Sequence, residues 1–266
     1  MNLESENPHS RDERVRFVES SHTYFIDGSK EGYISTTTLV HTLFEKFDAD
    51  KVIKKMRKSK NWESSSYFGM ETDDIKAAWE ENRDSAAKSG TLMHENIENF
   101  YNKVDHETVS KEFSLFSNYL NDHKELEPFR TEWCVFDEDS KVCGSIDMVY
   151  KDPDNPGFHI IADWKRSKAI KYENSWQSGC DRFTSHLPDC NFIHYSIQLG
   201  IYKYILQKCY DVKISEMFIV VLHPGQDNYE KIHTKNVDEE VKKIMKRREK
   251  GDSEKIVGLF DLSRVL

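Results

Sequence analysis

Two aspartates and a lysine are brought together by a predicted β-hairpin. Its strands, over 142–150 and 158–165, are joined by KDPDNPG, a turn rich in Pro, Gly, Asp and Asn. Because side chains alternate along a strand, Asp163 and Lys165 point to the same face. Folding the hairpin about the middle of the turn sets Asp147 opposite Asp163, with Cβ atoms about 5 Å apart. This register is an assumption, and a slip by one residue would turn one acid away.

Such a patch has the composition of a hydrolytic site for phosphodiesters. Two neighbouring carboxylates repel each other unless a positive charge offsets them, and a hard divalent cation with oxygen ligands does so. The ion can lower the pKa of a bound water and stabilise charge on a phosphate. A lysine beside it can orient that water and neutralise the transition state.

Asp-x-Lys alone is a common tripeptide, and a surface ion pair is the alternative interpretation. Its surroundings favour the site. Asp163 and Lys165 follow an apolar run, where a charge is otherwise costly. Gly144, shortly before Asp147, allows close backbone approach.

Two predicted helices carry further polar pairs at a spacing of four residues. His94 and Glu98 lie one turn apart beside an apolar stripe, and could complete the shells of a metal ion. Gln198 and Tyr202 lie one turn apart in a later helix, and could hydrogen-bond a phosphate or the lysine. Each pair taken alone favours an ordinary helix surface or a half-buried amphipathic helix.

These groups occur in an order that is typical of one enzyme superfamily. They resemble the RecB-type branch of the PD-(D/E)XK nucleases, whose blocks are G-T-x-x-H-x-x-x-E, G-x-x-D, D/E-x-K and Q-x-x-x-Y. No block is specific by itself, whereas the ordered set is, and it covers about half of the chain. The matching residues are Gly90, Thr91, His94 and Glu98; Gly144 and Asp147; Asp163 and Lys165; Gln198 and Tyr202.

The resemblance implies a metal centre that uses one or two Mg²⁺ or Mn²⁺ ions. Its ligands would be Asp147, Asp163, His94 and the backbone carbonyl of Trp164. Several relatives hold an iron–sulphur cluster with four cysteines, one of which precedes the histidine block. The first cysteine here is Cys134, so no cluster is expected.

The resemblance also implies roles in catalysis. Lys165 would be the catalytic lysine, working beside Asp147 and Asp163. Glu98 would support the metal shell or bind a second ion. The lysine and the scissile phosphate would be positioned by two further residues, Gln198 and Tyr202.

The implied fold is α/β, with a restriction-endonuclease-like core in which a central mixed sheet is flanked by helices. An N-terminal part over 1–84 is predicted to hold a disordered start of about a dozen residues, a strand pair over 15–26 and a helical extension over 36–56 with a break near Asp48. The nuclease core is predicted over 85–266, and the two parts are expected to form one compact unit. The other predicted helices are 73–82, 85–104, 111–123, 192–209 and 237–250, and the other predicted strands are 129–136, 142–150, 158–165, 214–222 and 229–234.

Residues outside the blocks are predicted to touch nucleic acid. The segments 22–24 and 32–38 are similar to the lead-in of the mitochondrial genome-maintenance exonuclease and of related viral and phage exonucleases. Ser35, Thr36 and Thr37 would then contact DNA phosphate, although a helix N-cap is an equally good interpretation. Phosphate contacts and base stacking are also expected from the loop after the predicted hairpin. Its candidate residues are Arg166, Lys168, Tyr172 and Trp176.

Composition limits how the chain can bind nucleic acid and in which cellular compartment it is expected. A net charge of −9 argues against a protein that coats nucleic acid through bulk charge, but not against one local groove. The longest apolar stretch, 217–222, is too short to span a bilayer, and the N-terminus lacks the apolar core of a secretory signal. Five cysteines without CxxC spacing indicate a reducing intracellular compartment. Cytoplasm, nucleus, organelle, and viral or phage origin all stay open.

The leading hypothesis is a DNA exonuclease that acts on single strands or free ends in replication, repair or recombination. A structure-selective or nicking endonuclease is the alternative within enzymes. A nucleic-acid-binding module without activity, or an unrelated structural protein with accidental motifs, would be a different class. Cleavage polarity, DNA or RNA preference and protein partners are not indicated by these residues.

Overall fold

The described part of the chain is organised around one mixed β-sheet. A computed structural model describes residues 2–251. These described residues contain eight strands, of which the first two form a separate antiparallel ribbon. They are β1 (Val15–Val18), β2 (Thr23–Ile26), β3 (Ile34–Ser35), β4 (Glu127–Asp137), β5 (Val142–Lys151), β6 (Phe158–Lys165), β7 (Lys213–Val221) and β8 (Glu230–His233).

The large sheet has six strands in the order β3-β5-β6-β7-β8, with β4 paired to β5. Strand β5 pairs along its whole length with β4, while its other edge is shared by β6 at one end and β3 at the other. The β6–β7 and β3–β5 pairs are parallel and the remaining pairs are antiparallel. The predicted mixed sheet is therefore confirmed.

Helices cover both faces of this sheet. The buried side chains of α4 and α5 pack with Ala162 and Trp164 of β6, whereas those of α2, α6 and α7 pack with Ile161. The predicted alternation along β6 is thus confirmed, and it turns Asp163 and Lys165 toward α6. The helices are α1 (Leu3–Glu6), α2 (Thr36–Thr42), α3 (Ala49–Arg57), α4 (Thr72–Tyr101), α5 (Lys111–Asp122), α6 (Asn191–Cys209) and α7 (Asp238–Glu249).

The predicted break near Asp48 separates α2 from α3. The Asp48 side chain accepts a hydrogen bond from the backbone N–H of Lys51 at 2.9 Å, which makes it the N-cap of α3. By contrast, the predicted separation of 73–82 from 85–104 is wrong. Helix α4 runs unbroken for 30 residues, because neither Gly nor Pro occurs between Thr72 and Ser89. The predicted division after residue 84 falls inside this helix.

The predicted disordered start is also wrong. Leu3 is buried, and its backbone N–H donates to Asn102 Oδ1 at 3.2 Å, at the end of α4. Asp12 accepts hydrogen bonds from Arg130 at 2.8 Å and from the Trp133 indole at 2.9 Å, both on β4. The first residues therefore pack against the sheet, because the Asp12 carboxylate is the acceptor for two buried donors of β4.

Candidate active site

Asp147 and Asp163 lie at a fork where β5 and β6 separate. Main-chain pairing of these strands ends at Met148 and Ala162, and the next position in that register sets Asp147 against Asp163. The assumed hairpin register is therefore confirmed. Beyond the fork, the backbone N–H of Trp164 donates to Asp147 Oδ2 at 2.8 Å, so a side chain replaces the main-chain acceptor.

Asp163 and Lys165 form a buried ion pair beside the fork. Burial and the charge of Asp147 raise the pKa of Asp163 to about 6, although Lys165 opposes the shift. Burial lowers the pKa of Lys165, but Asp163 and Asp147 outweigh it and raise that pKa to about 12. The ammonium, which lies 4.8 Å from the ring centroid of Tyr195, therefore keeps its proton at neutral pH.

His94 reaches the fork from α4. Its Nε2 lies 3.1 Å from the carbonyl oxygen of Trp164, and its Nδ1 lies 3.5 Å from Glu132 Oε1 and 3.6 Å from Asp147 Oδ2. Burial lowers the pKa of His94, but the two facing carboxylates outweigh burial and raise it to about 9. The same carboxylates would attract a metal ion to this position, where His94 would bind it as a neutral ring.

Glu132 is a site residue that the sequence motifs missed. It lies on β4 between Thr131 and Trp133, which pair with Met148 and Ile146, so it stands across from Asp147. Its Oε2 accepts a hydrogen bond from the Ser145 hydroxyl at 2.9 Å. The signal that could have revealed it is a lone acid in the largely apolar strand FRTEWCVF.

The remaining motif residues surround this group. Glu98 lies one turn beyond His94, and burial together with the charge of Glu132 raises its pKa to about 7. Tyr202 is buried on α6, where its side chain hydrogen-bonds Gln198 and burial raises its pKa. Gln198 is the more exposed member of that pair.

Gly144 of β5 lies against side chains of α6 and α2. A Cβ atom added there would lie 2.8 Å from Tyr202 Cε1 and 3.1 Å from Thr36 Oγ1. Side chains of α6 and α2, and not another backbone, therefore make the close approach at this glycine, where a backbone approach was predicted.

The residues proposed for phosphate contact before α2 have different surroundings. Ser35 caps α2, accepting from the Thr38 backbone N–H at 3.1 Å. Thr36 is fully buried and its hydroxyl donates to the Cys143 carbonyl at 3.1 Å, so a contact of this side chain with DNA is ruled out by burial. Thr37 is exposed.

The loop between β6 and α6 holds the other proposed contacts. Arg166 donates to Glu112 Oε1 of α5 at 2.7 Å and is partly covered. Lys168 is exposed, and Tyr172 is half-exposed against the ring of Phe192, at a centroid distance of 4.8 Å. Trp176 is 85% exposed.

Comparison with known proteins identifies this arrangement. Residues 35–258 match the family model of the PD-(D/E)XK nuclease superfamily, a span that includes every motif residue named above. The chain belongs to this superfamily. No curated protein sequence matches it.

Two solved structures match this PD-(D/E)XK nuclease at low sequence identity. One is SSO0001, with 13% sequence identity, 85% of this chain and 79% of that chain covered, and a TM-score of 0.36. The other is a protein from Eubacterium rectale named as a putative exonuclease, with 15% identity, 82% of each chain covered and a TM-score of 0.36. Similarity at this level says nothing about substrate.

The residues at the fork fit the divalent metal that PD-(D/E)XK nucleases use. Ligand atoms of His94, Glu132 and Asp147 all lie within 4.8 Å of one another. Asp163 is buried, and apart from its ion pair with Lys165 neither carboxylate oxygen has a hydrogen-bond partner among residues 2–251. Hard oxygen donors and an imidazole nitrogen are what such an ion requires, whereas Asp163, paired with Lys165, lies beside this group of three.

A second acidic group, Asp137, Glu138 and Cys209, lies elsewhere. Lys208 pairs with Asp137 and Arg11 pairs with Glu138, so cations of the chain already neutralise it. Within the described residues, no helix is long and apolar enough to cross a membrane.

Proposed function

We propose that this protein is a divalent-metal-dependent deoxyribonuclease of the RecB-type branch that removes nucleotides from single strands or free DNA ends. The observation that carries the proposal is the convergence of Asp147, Asp163 and Lys165 at the fork between β5 and β6. His94 and Glu132 add two further donors there. The donor set suits Mg²⁺ or Mn²⁺.

Hydrolysis adds water to the phosphorus of a phosphodiester and breaks one of its P–O bonds. A bound divalent ion would lower the pKa of that water and offset charge on the phosphate. Lys165 remains protonated, so it donates hydrogen bonds to water or phosphate instead of accepting the proton. Asp163 holds the ammonium in place.

The preference for ends is supported by the helical extension. The backbone N–H of Cys180, in the loop after Lys165, donates to the carbonyl of Leu43 at the end of α2 at 2.9 Å. If this loop and the attached extension border the entry to the fork, a free strand end would enter more readily than the middle of a duplex. Enzymes that trim ends serve replication, repair or recombination.

The test uses purified protein with 5′-labelled and 3′-labelled linear single strands and a closed circular strand, in Mg²⁺ and then in Mn²⁺. Metal-dependent loss of linear DNA, intact circles and an inactive Lys165→Ala variant are expected. The label released first gives the polarity. Cleaved circles would indicate an endonuclease, and cleavage of no substrate would indicate a module that only binds.

A further inference from the structure

The outer face of α3 carries lysines that no acid neutralises. Ile53 faces the interior, whereas Lys54, Lys55 and Lys58 are exposed. Lys51 on the same face lies 3.9 Å from Glu45, but the other three form no ion pair within residues 2–251. In a chain with a net charge of −9, this makes α3 a local positive surface.

Trp176 is presented to solvent next to this face. The indole is 85% exposed, and Lys55 Nζ lies 5.2 Å from its ring centroid. Its backbone is held in a turn, because the Trp176 N–H donates to Asn174 Oδ1 at 3.0 Å and Asn174 Nδ2 donates to the Asp189 carbonyl at 2.7 Å. A contact with one lysine covers little of this ring, so most of it is free for a ligand.

The loop that carries Trp176 starts at the candidate active site. It leaves β6 directly after Lys165, passes Tyr172, which is 48% exposed, and reaches Trp176 beside α3. Exposed aromatic rings and unpaired lysines therefore follow one another along a segment that ends on the helical extension.

We propose that Lys54, Lys55, Lys58 and Trp176 form a platform that binds single-stranded DNA on its way to the active site, which rests on the proposed nuclease function. Every base has a π face that can stack on an indole, whereas the bases of a duplex are already stacked on each other. Lysines three and four residues apart on a helix are about 5–6 Å from one another, so they can meet successive phosphates. Together these features select unpaired strands.

The test measures binding of a fluorescent 20-nucleotide oligothymidine in EDTA, where no cleavage occurs, across a range of salt concentrations. Trp176→Ala is expected to weaken binding about tenfold through loss of one stacked base, and Trp176→Phe to restore most of it. The triple variant Lys54→Ala, Lys55→Ala, Lys58→Ala is expected to reduce the slope of log K against log salt by about 2.

A matched control comes from α7. Lys242, Lys243 and Lys246 are also exposed lysines on one helix without ion pairs in the described residues. Replacing these three by alanine changes the net charge by the same amount, and is expected to leave the salt slope unchanged. The Trp176→Ala variant should bind a duplex of equal length almost as tightly as the wild type does.

The platform is overturned if both triple variants weaken binding equally, or if Trp176→Ala binds the oligothymidine as tightly as the wild type. Equal loss would mean that bulk charge alone acts. Because binding is measured without divalent ions, a protein that cleaves nothing would refute the nuclease proposal and leave this comparison intact.

Discussion

Glu132 adopts a backbone φ of 44° in the middle of β4, a conformation that residues with side chains rarely adopt. Strain of this kind costs about 1–3 kcal/mol and persists only where surrounding structure imposes it. Two hydrogen bonds hold this segment here. The Thr131 hydroxyl donates to the Asp147 carbonyl on β5, and the Ser145 hydroxyl donates to the Glu132 carboxylate. This strained residue places its carboxylate beside His94 and Asp147, as a metal-binding role of Glu132 requires.

Glu132→Gln is expected to weaken Mn²⁺ binding by about 10- to 100-fold, because a charged oxygen donor of the cluster is replaced by a neutral one. Isothermal titration calorimetry measures the affinity, and the rise in melting temperature on adding Mn²⁺ should shrink in parallel. Glu127→Gln on the same strand is the control, since Glu127 is exposed and pairs with Lys151. Unchanged affinity in Glu132→Gln would exclude Glu132 from the metal centre.

The sequence could reveal those site residues whose partners lie one turn or one hairpin away. His94 and Glu98 are linked by helix periodicity, and Asp147 and Asp163 by the symmetry of a turn. Glu132 was not predicted as a site residue, because its position opposite Asp147 depends on a register shift between Pro128 and Arg130. Local residue spacing does not encode that shift.

At the scale of elements, the contact between β5 and α6 depends on the absence of a side chain. A methyl group at Gly144 would lie 2.8 Å from Tyr202 Cε1, so Gly144→Ala forces the helix or the ring to move. We expect a loss of about 2 kcal/mol in the free energy of unfolding by urea. Gly90→Ala in α4 is the control with the opposite sign: a Cβ there meets nothing within 4 Å, and helix propensity should add up to about 1 kcal/mol. Equal effects of the two substitutions would contradict the close packing.

Asp152 connects the β5–β6 turn to β7. It accepts hydrogen bonds from Ser215 at 2.5 Å and from the backbone N–H groups of Asp154 and Asn155 at 2.9 and 3.1 Å. The Ser215 bond, aided by those of the turn, lowers the pKa of Asp152 to about 2 from an ordinary 3.8. Because the folded pKa is depressed, the stabilisation is complete above pH 3.8 and is lost as the pH falls toward about 2.

Asp152→Asn should therefore lower the free energy of unfolding by about 1 kcal/mol at pH 7, and the gap to the wild type should narrow below pH 4. Urea titrations at pH 7, 5, 4 and 3 measure it. Asp154→Asn, an exposed acid of the same turn, is the control and should show no gap. A gap that stays constant down to pH 3 would argue against a stabilising carboxylate.

Most elements were predictable from periodicity and turn chemistry, including the ribbon of β1 and β2 and the strands that carry the fork. The continuity of α4 was not, because the polar stretch 82–85 has the composition of a connection. That stretch is exposed in the structure and contains no helix breaker, so backbone hydrogen bonding continues through it.

At the scale of the whole molecule, the N-terminal segment closes the edge of the sheet. Arg130 is almost fully buried, and its guanidinium lies 2.8 Å from Asp12. Asp12→Ala removes the nearest carboxylate of this cation and the acceptor of the Trp133 indole, so a loss of about 3 kcal/mol is expected. Chemical unfolding of this variant beside Glu13→Ala, an exposed neighbour, measures it. Equal stabilities would mean that the segment is dispensable.

Composition could not have predicted this packing. The segment 2–14 is polar, which alone favours disorder. The segment is ordered by contacts with β4. That strand buries the Arg130 guanidinium and the Trp133 indole N–H, and both donate to Asp12 of the segment. Such a requirement becomes visible only when distant residues are placed together.

The fork draws its acids from β4, β5 and β6, and β6 gains its second neighbour only when β7 is made, after the whole of α6. While the chain emerges from the ribosome, the strand that carries Asp163 has a bare edge, and such non-local pairing is slow to form. Burial of Asp163 beside Lys165 must wait until synthesis has passed Val221. The order of strands along the chain therefore places completion of the fork late in synthesis, after α6 and β7.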